Sequence, residues 1–125
     1  MVGNAISTYN DNKINTASPA ELTLMLYEGM IKFANLAYMA LEKKDYEKAN
    51  NNIIKIENII LELQATLNVK YEVANSFNVM YVYIYERLLE LNKTKKIEML
   101  DNEILPMLRD LRETWKQVML NSKNK

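Results

Sequence analysis

Two glycines and two prolines among 125 residues leave this chain few residues suited to tight turns, and that scarcity constrains its fold more than any other feature. An all-β chain needs turn signals about every eight to twelve residues. None recur here, and strand-like alternation does not persist beyond a few residues. The chain therefore reads as helix nearly throughout.

The clearest helix start is Ser18-Pro19-Ala20-Glu21. Ser18 can accept an orphan amide at the helix end, Pro19 has no amide to lose at the first helical position, and Glu21 can reach back to the Ser18 amide. Beyond it Leu22, Met25, Leu26, Gly29, Phe33, Leu36, Ala37 and Ala40 recur at three and four residues. At about 100° per residue they share one face, so the first helix is expected to run to about Lys43. Asp45 can cap a second helix with a stripe of Tyr46, Ala49, Ile53, Ile56, Ile60, Leu63 and Leu67. After a junction at Asn68 to Lys70, Ala74, Phe77, Tyr81, Ile84, Leu88 and Leu91 mark a third helix ending near Asn92. Thr94 can cap a fourth, with Ile97, Leu100, Ile104, Met107, Leu111, Trp115 and Val118 as its stripe. Pro106 lacks the amide that would bond the Asn102 carbonyl, so it either kinks this helix or divides it in two.

Long helices joined by short connections run antiparallel to their neighbours. The expected fold is all-α: an antiparallel up-and-down four-helix bundle over residues 18–120, preceded by an N-terminal arm or short extra helix over residues 1–17, together one domain. In that arm Asn4, Asn10, Asn12 and Asn15 interrupt helix while Ile6, Tyr9 and Ile14 stay apolar.

The anomaly lies opposite the core stripe of the first helix. Leu24, Tyr27, Ile31 and Tyr38 occupy a face where a surface helix carries charge. Val79, Val82 and Tyr83 on the third helix, and Ile54 and Leu61 on the second, likewise lie off their core seams. Either the first helix is central or these faces form a homodimer, or they make a groove for a segment of another protein, to which tyrosine brings area with a polar tip and methionine adaptable packing. Met30 and Met39 are the methionines that could join such a groove.

Composition removes other classes of function. With no cysteine and no histidine the chain lacks the usual nucleophile, the neutral-pH acid/base and the best zinc ligands, so neither catalysis nor a cofactor is expected. Sixteen basic residues balance sixteen acidic ones, which leaves no electrostatic footprint for nucleic acid. No apolar run approaches the ~18 residues of a membrane span and no leader is recognisable, so the chain reads as a soluble cytoplasmic protein.

The ordered set Tyr9, Ile14, Thr16-Ala17-Ser18-Pro19, Glu21-Leu22, Met25-Leu26-Tyr27-Glu28-Gly29 and Phe33 resembles the signature of FliS, the flagellin export chaperone family. The likeness continues through the isoleucine-rich second helix to Glu62-Leu63, through Met80-Tyr81-Val82-Tyr83-Ile84, and into Leu108-Arg109-Asp110-Leu111-Arg112-Glu113-Thr114-Trp115. It covers essentially the whole chain, with Pro106 as the main departure. The resemblance implies a cytoplasmic helical bundle that binds the disordered C-terminal segment of flagellin, prevents its premature polymerisation and assists its type III export, with components of the export apparatus as further partners. It also implies that an N-terminal arm covers part of the client surface in the free chaperone. Carried over by position, Ile6, Tyr9 and Ile14 become the arm anchors. The helical wheels supply the groove candidates Leu24, Tyr27, Ile31, Tyr38, Ile54, Leu61, Val79, Val82 and Tyr83. The free protein is expected to be a monomer or weak homodimer; the alternative is a non-catalytic assembly protein that homodimerises through the same faces.

Overall fold

The computed structural model of the chain describes residues 16–67 and 72–123. Among them lie four long helices and no strand. We number these α1 (Pro19–Glu42), α2 (Tyr46–Thr66), α3 (Glu72–Thr94) and α4, which runs without a break from Ile97–Met99 through a π-helical turn at Leu100–Ile104 into Leu105–Lys123. The expected arm anchors Ile6, Tyr9 and Ile14, and the expected junction at Asn68 to Lys70, lie outside the described residues.

The helix starts follow the local chemistry. The Ser18 hydroxyl accepts from the Glu21 amide at 3.2 Å and the Ser18 amide donates to Glu21 Oε1 at 3.3 Å, which completes the capping box. Asp45 accepts from the Lys48 amide at 3.2 Å and starts α2. Between them Asp45 N–H bonds the Ala40 carbonyl at 2.8 Å and Lys44 N–H bonds Leu41 at 3.1 Å, the bond pair of a Schellman ending. Glycine usually supplies the left-handed residue of that ending, but Gly29 is buried inside α1. Lys44 (φ 58) takes the conformation instead, as Lys95 (φ 57) does after α3. Thr94 does not cap α4. It is the last residue of α3, where its hydroxyl donates to the Glu90 carbonyl at 3.0 Å, and Lys96 holds the N-cap position with no side-chain bond.

Pro106 neither divides α4 nor leaves it a uniform α-helix. Immediately before it, the Leu105 amide bonds Leu100, five residues back rather than four. The widened turn gives the pyrrolidine ring room that a regular α-turn would fill with a carbonyl.

The described helices form an antiparallel bundle. The start of α1, the end of α2, the start of α3 and the end of α4 meet around one cavity, as alternating up-and-down topology requires. Helix α1 packs against α2 and α4, α2 against α3, and α3 against the start of α4. The stripes of α2 and α3 bury as expected: Ala49, Ile53, Ile56, Ile60 and Leu63 on one, and Ala74, Phe77, Tyr81, Ile84, Leu88 and Leu91 on the other. In α4, Leu100, Ile104 and Leu111 are buried with Met99, Leu105 and Leu108, while Ile97, Met107 and Trp115 pack half-buried against them. Each fully buried isoleucine or leucine contributes about 1.5–3 kcal/mol, so these seams dominate the stability of the bundle. Tyr46, expected in the α2 stripe, is half exposed at the helix's first residue.

Helix α1 corrects the wheel. Tyr27, Met30 and Ile31 are buried along with Phe33, Ala34, Ala37, Ala40 and Leu41, so both its faces are core. Past the first turn only Glu28, Lys32, Asn35, Met39 and Glu42 are exposed, a narrow strip at helical spacing. The cause is position. Lys55 of α2 lies over the Phe33 ring at 5.1 Å, Tyr27 reaches Tyr81 of α3, and Trp115 of α4 bonds Ala20, so α1 has three helical neighbours to bury against. Among the described residues no helix is long and apolar enough to cross a membrane.

Candidate functional site

Two features of the surface stand out. One is the cavity at the end of the bundle, about 740 Å³, within the size range of ligand-binding clefts. Its wall is aromatic: Tyr27 from α1, Phe77 and Tyr81 from α3, and Trp115 from α4, with Leu63 and Leu67 from α2. Thr23, Thr66, Asn121 and Ser122 supply its polar groups, and among the described residues no charged side chain lines it.

The wall is fixed by specific bonds. Trp115 meets Tyr27 and Phe77 edge-on at 6.2 and 6.0 Å between ring centroids. Its indole N–H donates to the Ala20 carbonyl at 2.9 Å, which ties the end of α4 to the first turn of α1. Behind it the hydroxyls of Tyr27 and Tyr81 hydrogen-bond to each other across the bundle. Burial, and after it the Tyr81 phenol alongside, raises the Tyr27 phenol above the usual tyrosine range. Burial raises Tyr81 as well, while the bond from Tyr27 opposes that rise. Both hydroxyls stay protonated at neutral pH and can serve only as hydrogen-bonding groups.

The second feature is an apolar strip along the seam between α2 and α3. The Gln64 amide donates to Asn78 Oδ1 at 3.3 Å across this seam and sets its antiparallel register. Counting back along α2 and forward along α3, Leu61 falls opposite Tyr81 and Val82, and Ile54 opposite Leu88 and Leu89. Leu61, Val82, Ile54 and Leu89 are 45, 43, 39 and 47 % exposed. Four large apolar side chains thus stay in contact with water along one line, where a soluble surface favours charge.

The sequence-derived candidates separate accordingly. Ile54, Leu61, Val79, Val82 and Tyr83 are exposed, and of these Ile54, Leu61 and Val82 share the seam. Val79 and Tyr83 lie one helical turn apart on the outward side of α3. Tyr27 and Ile31 are core residues, so the expected apolar back face of α1 is not a surface; Leu24 and Tyr38 are half-buried beside them. Met30 is wholly buried, whereas Met39 is half exposed. Only Tyr27 among the α1 candidates reaches a cleft, as part of the cavity wall.

Sequence reasoning missed two residues. Leu89 was masked by its place one step from the Leu88 core position. Glu57 is 8 % exposed, and its Oε2 is buried without a hydrogen-bond partner. Burial raises this carboxyl above its usual range, and the Lys95 ammonium offsets part of the rise. Lys95 nevertheless spends its own hydrogen bonds on the Asn92 carbonyl and side-chain oxygen. A glutamate one residue from the Ile56 core position was the available signal. Among the described residues no cluster of acidic side chains is arranged to hold a metal.

Residues 2–122 match the family described as Flagellar protein FliS. The chain is 44% identical over 118 residues to the Flagellar secretion chaperone FliS of Bacillus subtilis (strain 168), covering 94% of this chain and 88% of that one. It is 30% identical over 119 residues to the protein of the same name from Campylobacter jejuni, covering 94% and 92%. A solved structure titled "Crystal structure of flagellar chaperone from bacteria" shares the fold at a TM-score of 0.75 and 23% identity, covering 94% of this chain and 97% of that one. A family match over nearly the full length, joined by relatives at this identity, leads to one conclusion: the chain belongs to the FliS family.

Proposed function

We propose that this protein is a cytoplasmic flagellar secretion chaperone that binds the disordered C-terminal segment of flagellin, keeps it from polymerising and assists its type III export. Membership of the FliS family supports the role. The observation that carries the binding reading is the exposed apolar line Ile54, Leu61, Val82 and Leu89 on the α2/α3 seam. An amphipathic segment that would otherwise self-associate can lay its apolar side there, and the area buried offsets the entropy lost as it orders. Val79 and Tyr83 extend the contact along α3, and the aromatic cavity beside the start of α1 offers a second seat for apolar side chains. Of the α1 candidates, Tyr27 lines that cavity, Ile31 lies in the core, and Leu24 and Tyr38 are half-buried on α1. Ile6, Tyr9 and Ile14 are assigned to an arm that covers client surface in the free protein. A non-catalytic role accords with this, since the chain contains no histidine or cysteine and the buried phenols of Tyr27 and Tyr81 are held neutral.

The absence of native cysteine makes the test direct. A fluorophore on Leu61→Cys should respond to the flagellin C-terminal peptide, and one on Asp110→Cys of α4, which is exposed, should not. A response at Asp110 alone contradicts the seam assignment. If gel filtration gives an obligate dimer that buries the Leu61 probe without peptide, the homodimer reading replaces this one.

A further inference from the structure

On the seam between α2 and α3 a buried acid, Glu57, lies along α2 between the exposed apolar residues Ile54 and Leu61. Glu57 lies three residues from Ile54 and four from Leu61, or about 4.5 and 6 Å along the helix axis. It stands on the same edge of α2 as Gln64, whose bond to Asn78 marks that edge as facing α3. The Glu57 side chain is more than nine-tenths buried and one oxygen has no partner. Lys95, whose charge offsets part of this cost, is bonded to Asn92, and Arg87 gives one terminal guanidinium nitrogen to Glu103 of α4 at 3.1 Å while its Nε has no partner.

An unpaired carboxylate beneath an apolar surface penalises any cover that is apolar throughout, because docking would strip away its remaining hydration. A cover bringing a cation to the same point reverses that penalty, since the desolvated pair then forms inside the contact. The two cases differ in sign, so Glu57 discriminates among segments that would otherwise fit the strip equally well. We infer that the α2/α3 seam takes a polypeptide segment that presents a lysine or arginine between two apolar side chains, the cation pairing with the Glu57 carboxylate while the apolar pair covers Leu61 with Val82 and Ile54 with Leu89. This inference rests on the chaperone reading above and specifies the chemistry of the segment held.

The test is calorimetric titration of the native chain, Glu57→Gln and Glu62→Gln with the flagellin C-terminal peptide from the same organism. Glu62 is exposed, and the helical wheel turns it to the opposite edge of α2, so its variant is the control. The Gln variant at Glu57 should lose about tenfold or more in affinity, and the control should match the native chain. Raising salt from about 50 to about 500 mM should weaken the native complex more than the Glu57→Gln complex. Equal or tighter binding by Glu57→Gln overturns the inference and leaves the chaperone reading standing. No binding by the native chain overturns both. Peptides in which each lysine or arginine is replaced in turn by glutamine give the same readout on the native protein, independent of how the variants fold. One of them must lose about tenfold, and if none does the inference fails.

Discussion

The hydrogen bond between Tyr27 and Tyr81 joins two helices that sit diagonally in the bundle, and it allows a quantitative prediction. Their side chains are 1 and 2 % exposed, so replacing either by phenylalanine leaves the other hydroxyl without its mate in a nearly dry place. Each single change should cost about 1–3 kcal/mol, the penalty for an unsatisfied buried polar group. Removing both hydroxyls leaves nothing unsatisfied, so Tyr27→Phe with Tyr81→Phe should cost no more than either change alone. Urea unfolding followed by Trp115 fluorescence is the assay, since this is the only tryptophan and its ring lies 6.2 Å from that of Tyr27. The same pair sets an alkaline limit. Both phenols are raised in the folded state, so below pH 10 they are protonated whether the chain is folded or not and contribute no pH dependence. Above pH 10 the unfolded chain releases these protons and the native chain retains them, and stability falls as pH rises by up to about 1.4 kcal/mol per pH unit for each tyrosine. The double variant should show a shallower alkaline slope. Single-variant costs that add to within about 0.5 kcal/mol in the double variant, with an unchanged alkaline slope, would mean that the two hydroxyls are not coupled.

Other consequences can be checked by the same unfolding measurement. Ile31→Glu places a charge in the α1 core and should cost at least about 3 kcal/mol or prevent folding, whereas Tyr83→Glu, on a half-exposed side chain, should stay within about 0.5 kcal/mol of native. Ser18→Ala removes one half of the capping box and should cost about 1 kcal/mol; no change would mean that the bond contributes nothing in solution. Lys44→Gly relieves a left-handed lysine and should gain about 0.5–1 kcal/mol after the entropy cost of glycine is set against it, so a loss would show that the lysine side chain is itself stabilising.

Much of this fold could be read from the chain because its information is local. The Ser18 and Asp45 caps, the isoleucine seam of α2 and the aromatic seam of α3 each lie within one helix, where spacing alone determines which side is buried. Helix α1 shows where such reading stops. A helix that is apolar on two sides has the same wheel whether its second side faces a partner protein or a third helix of its own bundle. Only the tertiary arrangement, with Tyr27 against Tyr81 and Trp115 against Ala20, decided for the latter. Pro106 is similar: its cost was evident, but its relief through a π-turn involves the bond from Leu105 to Leu100, which no periodicity reports. The exposed residues Ile54, Leu61 and Val82 were legible as departures from their seams. Their alignment with Leu89 over Glu57 follows from the register between two helices, set by Gln64 and Asn78.

In the proposed role this bundle orders a disordered flagellin tail by burying apolar surface. Titration calorimetry with the last ~40 residues of flagellin from the same organism, at two or more temperatures, reads that burial as a heat capacity. Saturable one-to-one binding with a negative heat-capacity change is expected. No heat at any temperature, together with no shift on gel filtration, would rule the role out.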